Sequence, residues 1–229
     1  MQKEDLDFFK KWFLDYVARF TSPEVFIQEN IKLKIEHTAR VCENILLLAK
    51  AEKVGEEGCR LAEAIALFHD LGRFEQFMKY RTFKDSESEN HALLGVKILE
   101  NTGILSRLPP IEKDLILKAV ECHNLMEIPG CAENSREFLF YVKLIRDADK
   151  LDILKNRMAK LADTRNRNDI KLLRMSWVFD LNSPVTHALL KERGYLDTIL
   201  SSMPETEEIQ IIRKHLESFL NAVETEARI

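Results

Sequence analysis

The chain has 229 residues, 45% of them hydrophobic and 31% charged, which is ample apolar material for a buried core. A net charge of −4 and a pI near 5.9 lack the basic surplus of a nucleic-acid-binding domain. No run approaches the roughly 18 consecutive apolar residues that span a bilayer.

With 7 glycines and 6 prolines, long loops should be scarce and helices abundant. Apolar residues recur at helical rather than alternating spacing in nearly every segment. The pattern predicts a helix over residues 5–20, broken at Thr21-Ser22-Pro23, and a second over 30–53, stopped by Gly55. A third begins near Glu56 and runs into His69 and Asp70, with Gly72 close behind. Ser88 is the predicted N-cap of a helix that reaches Asn101 and closes on Gly103 as its C′ residue. Leu108-Pro109-Pro110 opens another helix, to about residue 124. A loop follows, then a long helix over about 136–161. Residues 163–169 read as a loop or weak helix, and the tail as shorter helices with a last one over about 205–227. That last helix carries a stripe through Ile209, Ile212, Leu216, Phe219 and Leu220, expected to pack on its own chain.

There is no internal repeat and no linker composition. The expected architecture is one all-α domain over residues 1–229, with a core at about 25–160 and a helical extension at 161–229. Cys42, Cys59, Cys122 and Cys131 form no C-x-x-C pair and read as reduced thiols. The charged start of the chain is unlike a secretory signal, so a cytoplasmic location is expected.

Polar residues interrupt these stripes in a pattern. His37 has Leu33, Lys34 and Val41 at three or four residues' distance, and its stripe continues to Ile45 and Leu48. His69 continues Leu61, Ile65 and Phe68, and Asp70 follows Ala66 and Leu67. His91 leads Leu94, Gly95 and Ile98; His123 follows Ile116, Ala119 and Val120. One such histidine is ordinarily a hydrogen-bonded core residue, and His187 and His215 keep that reading or simple exposure. A core carboxylate is costly unless paired or bound to a cation. Several histidines and an aspartate from different helices fit a metal site in a helical bundle. In Tyr141-to-Leu154, Asp149 lies between Ile145 and Ile153, whereas Asp147 neighbours Lys143 and Lys150. Spacing therefore assigns the inward carboxylate to Asp149 and a partly solvated ion pair to Asp147. Asp152, one turn on, either supports a ligating histidine or lies on a solvated edge.

His37, then His69-Asp70, then Asp149 within Ala-Asp-Lys-Leu resembles the HD-domain superfamily of metal-dependent phosphohydrolases. His-Asp-Leu-Gly-Arg is similar to the HDIG form of the central motif, and the likeness covers about residues 31–154. The resemblance implies an all-α bundle with His37, His69, Asp70 and Asp149 as metal ligands. His91 and His123 lie in segments similar to those that supply ligands in binuclear members; with a single ion they would contact substrate or water instead. It implies one or two divalent ions, drawn from Mn, Fe, Co, Ni, Zn or Mg, that activate a water for in-line attack on phosphorus. Asp70 and Arg73 would carry the catalysis. Arg73 stands where alarmone-type members have Glu and phosphodiesterase-like members have Lys, and suits bidentate phosphate binding. Lys79, Arg81 and Lys84 follow as a substrate-binding border or a solvated charge run. A single histidine at His123 and no Gly-Tyr-Pro argue against a cyclic dinucleotide substrate.

The expected activity is that of a phosphomonoesterase or phosphodiesterase on a nucleotide or similar small phosphorylated metabolite. No nucleic-acid polymer or membrane partner is expected, and spacing carries no signal of oligomeric state. The alternatives are a di-iron oxygenase of the same superfamily and a non-catalytic metal- or ligand-binding regulatory module.

Overall fold

The computed structural model describes residues 1–128, 135–163 and 182–194, with Gln210. They are all-helical, with no strand among them. The chain divides into two compact units, Met1–Ala148 and Asp149–Ile229. No helix among the described residues is long and apolar enough to cross a membrane.

In the first unit, α1 (Lys3–Val17) buries Leu6, Phe9, Phe13, Tyr16 and Val17 along one face. Phe9 meets Phe68 edge-on at 5.4 Å, and Phe13 meets Phe74 at 6.0 Å. Helix α2 (Val25–Ala51) starts earlier than its predicted onset because Ile27 and Ile31 extend its buried stripe. The stripe continues through His37, Val41, Ile45 and Leu48, while Leu33 is 49% exposed. Leu33 therefore lies beside the His37 face and not on it. The turn that ends α2 is made by Lys53, at φ 58°, and Gly55 instead precedes α3 as its N-cap.

Helix α3 (Glu56–Phe68) is buried on every side from Ala64 onward, which makes it the central rod. Each large apolar side chain fully buried there contributes about 1.5–3 kcal/mol, and this offsets the cost of carrying polar residues inward at its end. The chain turns through His69, Asp70 and Leu71 into α4 (Gly72–Tyr80), a separate short helix that periodicity did not resolve. Gly72 is there for close approach. A Cβ at this position would lie 2.2 Å from the His91 carbonyl oxygen and 2.7 Å from the Gly95 amide nitrogen. The missing side chain lets α4 press against α5 (His91–Thr102).

Asn90, not Ser88, caps α5: its side chain accepts from the amides of Ala92 and Leu93. Ser88 is used otherwise, donating to the Lys84 carbonyl. Gly103, at φ 61°, ends α5 as a left-handed C′ residue. Helix α6 (Pro110–Cys122) begins on a proline at its first turn, where the missing N–H costs nothing. Helix α7 (Arg136–Asp163) carries the second carboxylate segment. In the second unit, α8 (Pro184–Glu192) is capped by Ser183, which accepts from the Val185 amide. The predicted loop beyond residue 163 and the stripe of the predicted last helix lie outside the described residues.

Candidate metal centre

Two of the four inward histidines are held by their own helices. His69 follows the last residue of α3, and its Nδ1 lies 2.7 Å from the Ala66 carbonyl. His123 follows the last residue of α6, and its Nδ1 lies 2.7 Å from the Val120 carbonyl. Both satisfy a carbonyl that a helix end leaves without a partner. A carbonyl oxygen only accepts, so each Nδ1 carries a proton and each ring turns its Nε2 inward. The negative ends of two helix dipoles also favour a cation here.

His91 stands at the first turn of α5, where Asp85 takes its Nδ1 at 2.7 Å. A carboxylate also accepts only, so the His91 Nδ1 carries a proton and its Nε2 faces inward too. His37 comes from the middle of α2, and its Nε2 lies 3.3 Å from that of His69. The Nε2 atoms of His91 and His123 are 3.1 Å apart.

Asp70 sits between the two pairs, with each oxygen turned to one of them. Oδ2 is 3.4 Å from His37 Nε2 and 3.7 Å from His69 Nε2. Oδ1 is 3.3 Å from His91 Nε2 and 3.9 Å from His123 Nε2. His37, His69 and Asp70 thus form one buried triad, and Asp70, His91 and His123 another; within each, the ligand atoms lie inside 4.8 Å of one another. Ring nitrogens and a carboxylate this close are held together by a shared proton or by a cation among them. Imidazole nitrogen with carboxylate oxygen is a donor set for borderline divalent metals, so the residues fit such an ion at both triads.

Two cations flank Asp70. Lys34 Nζ lies 2.7 Å from Oδ2, three residues before His37 on the same face of α2, and near the Phe83 ring. Arg73 Nε lies 3.4 Å from Oδ1. Burial alone would raise the Asp70 carboxyl. Lys34 and His69, the hydrogen bond with His37, and Arg73 outweigh it and hold the carboxyl well below the usual range.

Arg73 is turned into the protein. Its Nη1 donates to Asp85 Oδ1 at 2.8 Å, to Gln76 Oε1 at 2.9 Å and to the Phe83 carbonyl. Asp85 also accepts from Gln76 Nε2 at 2.8 Å and from Asn124 Nδ2 at 3.2 Å. Burial opposes its ionisation too, yet His91, Arg73 and Gln76 hold the Asp85 carboxyl far below the usual range.

Lys79, Arg81 and Lys84 are exposed and pair with Glu89, Glu24 and Glu87. None of their ion pairs reaches Asp70, and Arg81 is the left-handed residue that ends α4. Asp149 is half-buried in the second unit. Asp147, in the first, is 1% exposed, which corrects its reading as a partly solvated ion-pair member. Its flanking lysines misled the spacing argument: Lys143 is exposed but Lys150 is itself buried. Asp152 is also buried, so it lies on no solvated edge. Spacing did not single out Lys34 or Asp85 as site residues. Lys34 carried a signal, its place one turn from His37; Asp85 carried none.

The HD domain family matches residues 35–154, just over half of the chain. No curated protein and no solved structure matches. The matched span contains His37, His69-Asp70, His91, His123 and Asp149 in order, on an all-helical scaffold whose histidines converge on one aspartate. The chain belongs to the HD domain family, within the superfamily of metal-dependent hydrolases.

Proposed function

We propose that this protein is a metal-dependent phosphohydrolase, acting as a phosphomonoesterase or phosphodiesterase on a nucleotide or similar small phosphorylated metabolite. The observation that carries the reading is the division of Asp70: one oxygen faces His37 and His69, the other His91 and His123. A carboxylate so placed suits two ions side by side. His37, His69 and Asp70 would hold one; the family resemblance implies Asp149 as a metal ligand as well. Asp70, His91 and His123 would hold the other. Divalent ions there would supply Lewis acidity and an activated water.

The chain's own residues do the rest. The carbonyls of Ala66 and Val120 and the Asp85 carboxylate hold protons on three Nδ1 atoms and leave the Nε2 atoms as the ones to meet a metal. Lys34 keeps Asp70 ionised and is the cation nearest its Oδ2, suited to a phosphoryl oxygen once that oxygen has another partner. Arg73 steadies the Asp70 and Asp85 carboxylates and adds positive charge. Lys79, Arg81 and Lys84 lie beyond as exposed cations, each beside a glutamate, and would border the substrate.

The test is metal analysis of protein purified without added metal, joined to a screen of mono-, di- and cyclic phosphate compounds. The reading expects a bound divalent ion and phosphate release that stops when metal is removed. Full turnover in metal-stripped protein contradicts it. Oxygen consumption with ferrous iron and no phosphate release would select the oxygenase alternative.

A further inference from the structure

We propose that Asp85 is a positioning residue for one metal position only, the one formed by Asp70, His91 and His123. The inference rests on the two-ion reading above. His69 and His123 end their helices, and each finds a carbonyl three residues back for its Nδ1. His91 begins its helix, where no preceding turn exists to supply one. Asp85, six residues earlier in the connection from α4, takes that place with both oxygens, at 2.7 and 3.0 Å.

The carboxylate is itself clamped. Arg73 and Gln76 from α4 and Asn124 from the end of α6 all donate to it. Its orientation is therefore set before any ion arrives, and it sets the ring of His91. A carboxylate behind an imidazole also makes the far nitrogen a stronger donor to a metal than a carbonyl does.

Asp85 is not what holds its own connection in place. Gln76 Nε2 reaches Ser88 Oγ at 2.9 Å and the Glu89 carbonyl at 2.8 Å, and Asn90 caps α5 independently. Removing the Asp85 carboxylate should free the His91 ring while those ties remain.

The experiment is a Mn2+ titration of the full chain, followed by calorimetry and metal counting, for wild type, Asp85→Ala and Asp85→Asn. Wild type should bind two ions. Asp85→Ala should weaken one of them by about 10- to 100-fold and leave the other unchanged. Asp85→Asn keeps an acceptor for His91 Nδ1 and should fall between the two. In the metal-free protein the 15N spectrum of the His91 ring should show the Nδ1–H form in wild type and a shift of the proton toward Nε2 in Asp85→Ala. Two ions bound by Asp85→Ala with wild-type affinity, or equal weakening of both, overturns the proposal. Where the alanine variant does not fold, the asparagine variant decides: an unchanged second ion overturns the proposal. Wild type without any ion overturns both this inference and the proposed function. Two ions without phosphate release overturns the function alone.

Discussion

The two triads around Asp70 share a plan and differ in support. Each takes one histidine from a helix end, His69 or His123, fixed by its own helix's carbonyl. The other histidine differs. His37 stands inside α2, a 27-residue helix packed along its length, whereas His91 relies on Asp85 in a polar connection. One triad takes its histidines from the middle of one helix and the end of another; the other takes His91 from a helix start and leans on a clamp of hydrogen bonds among Arg73, Gln76, Asp85 and Asn124. Perturbations of the polar connection should therefore reach one metal position and spare the other, while perturbations of Asp70 reach both.

The largest effect is expected from Asp70→Ala, which erases the comparison by removing the shared ligand. Metal content should fall at both positions, and turnover by more than about 100-fold, beyond the range of residues that only orient ligands. Metal counting and phosphate release check it. Gly72→Ala should come next. Its new Cβ meets backbone at His91 and Gly95, which cannot give way cheaply. Such overpacking costs typically about 1–3 kcal/mol, so the melting temperature should drop. Because α5 must shift, the His91 triad should lose its ion before the His37 triad does.

Lys34→Met sharpens the other half. It removes a charge beside Asp70 Oδ2 and keeps the length of the stem. Losing one charge-assisted contact should raise KM by roughly 10- to 100-fold with metal content retained. Equal loss of metal and turnover would make Lys34 a structural partner of Asp70. Asp147→Asn and Asp149→Asn separate burial from ligation. The Asp149 variant should lose metal affinity, and the Asp147 variant should lose thermal stability; calorimetry on both reads the two outcomes.

The smallest effect is in acid. A carboxyl held low in the folded state contributes stability that is complete above its unfolded value, about 3.9 for aspartate, and is lost as pH falls below it. Asp85 is such a group. Wild type should lose stability across that window, and Asp85→Asn should lose less. Chemical denaturation between pH 5 and 3 measures the difference.

The helices and their punctuation were largely legible, because Gly103 and Pro110 act through local backbone geometry. The histidine stripe positions were legible for the same reason: His37, His69, His91 and His123 interrupt periodic apolar faces, and the structure brings all four to Asp70. Asp85 was not legible, since its partners lie up to 39 residues away in a segment without periodicity. Arg73 was read as a residue suited to bidentate phosphate binding, and spacing gave no sign of its partners within the chain. The connection brings Asp85 and the Phe83 carbonyl to its Nη1, beside Gln76. Lys53 and Asn90 took the roles given to Gly55 and Ser88, since neighbouring residues compete for a cap and packing chooses among them.

The central claim is that one aspartate serves two metal positions. The direct measurement is the number of divalent ions bound per chain, by elemental analysis after loading and dialysis, in wild type and Asp70→Ala. The account predicts two in wild type and none in the variant. A variant that keeps its full complement, or a wild type that holds no ion, contradicts it.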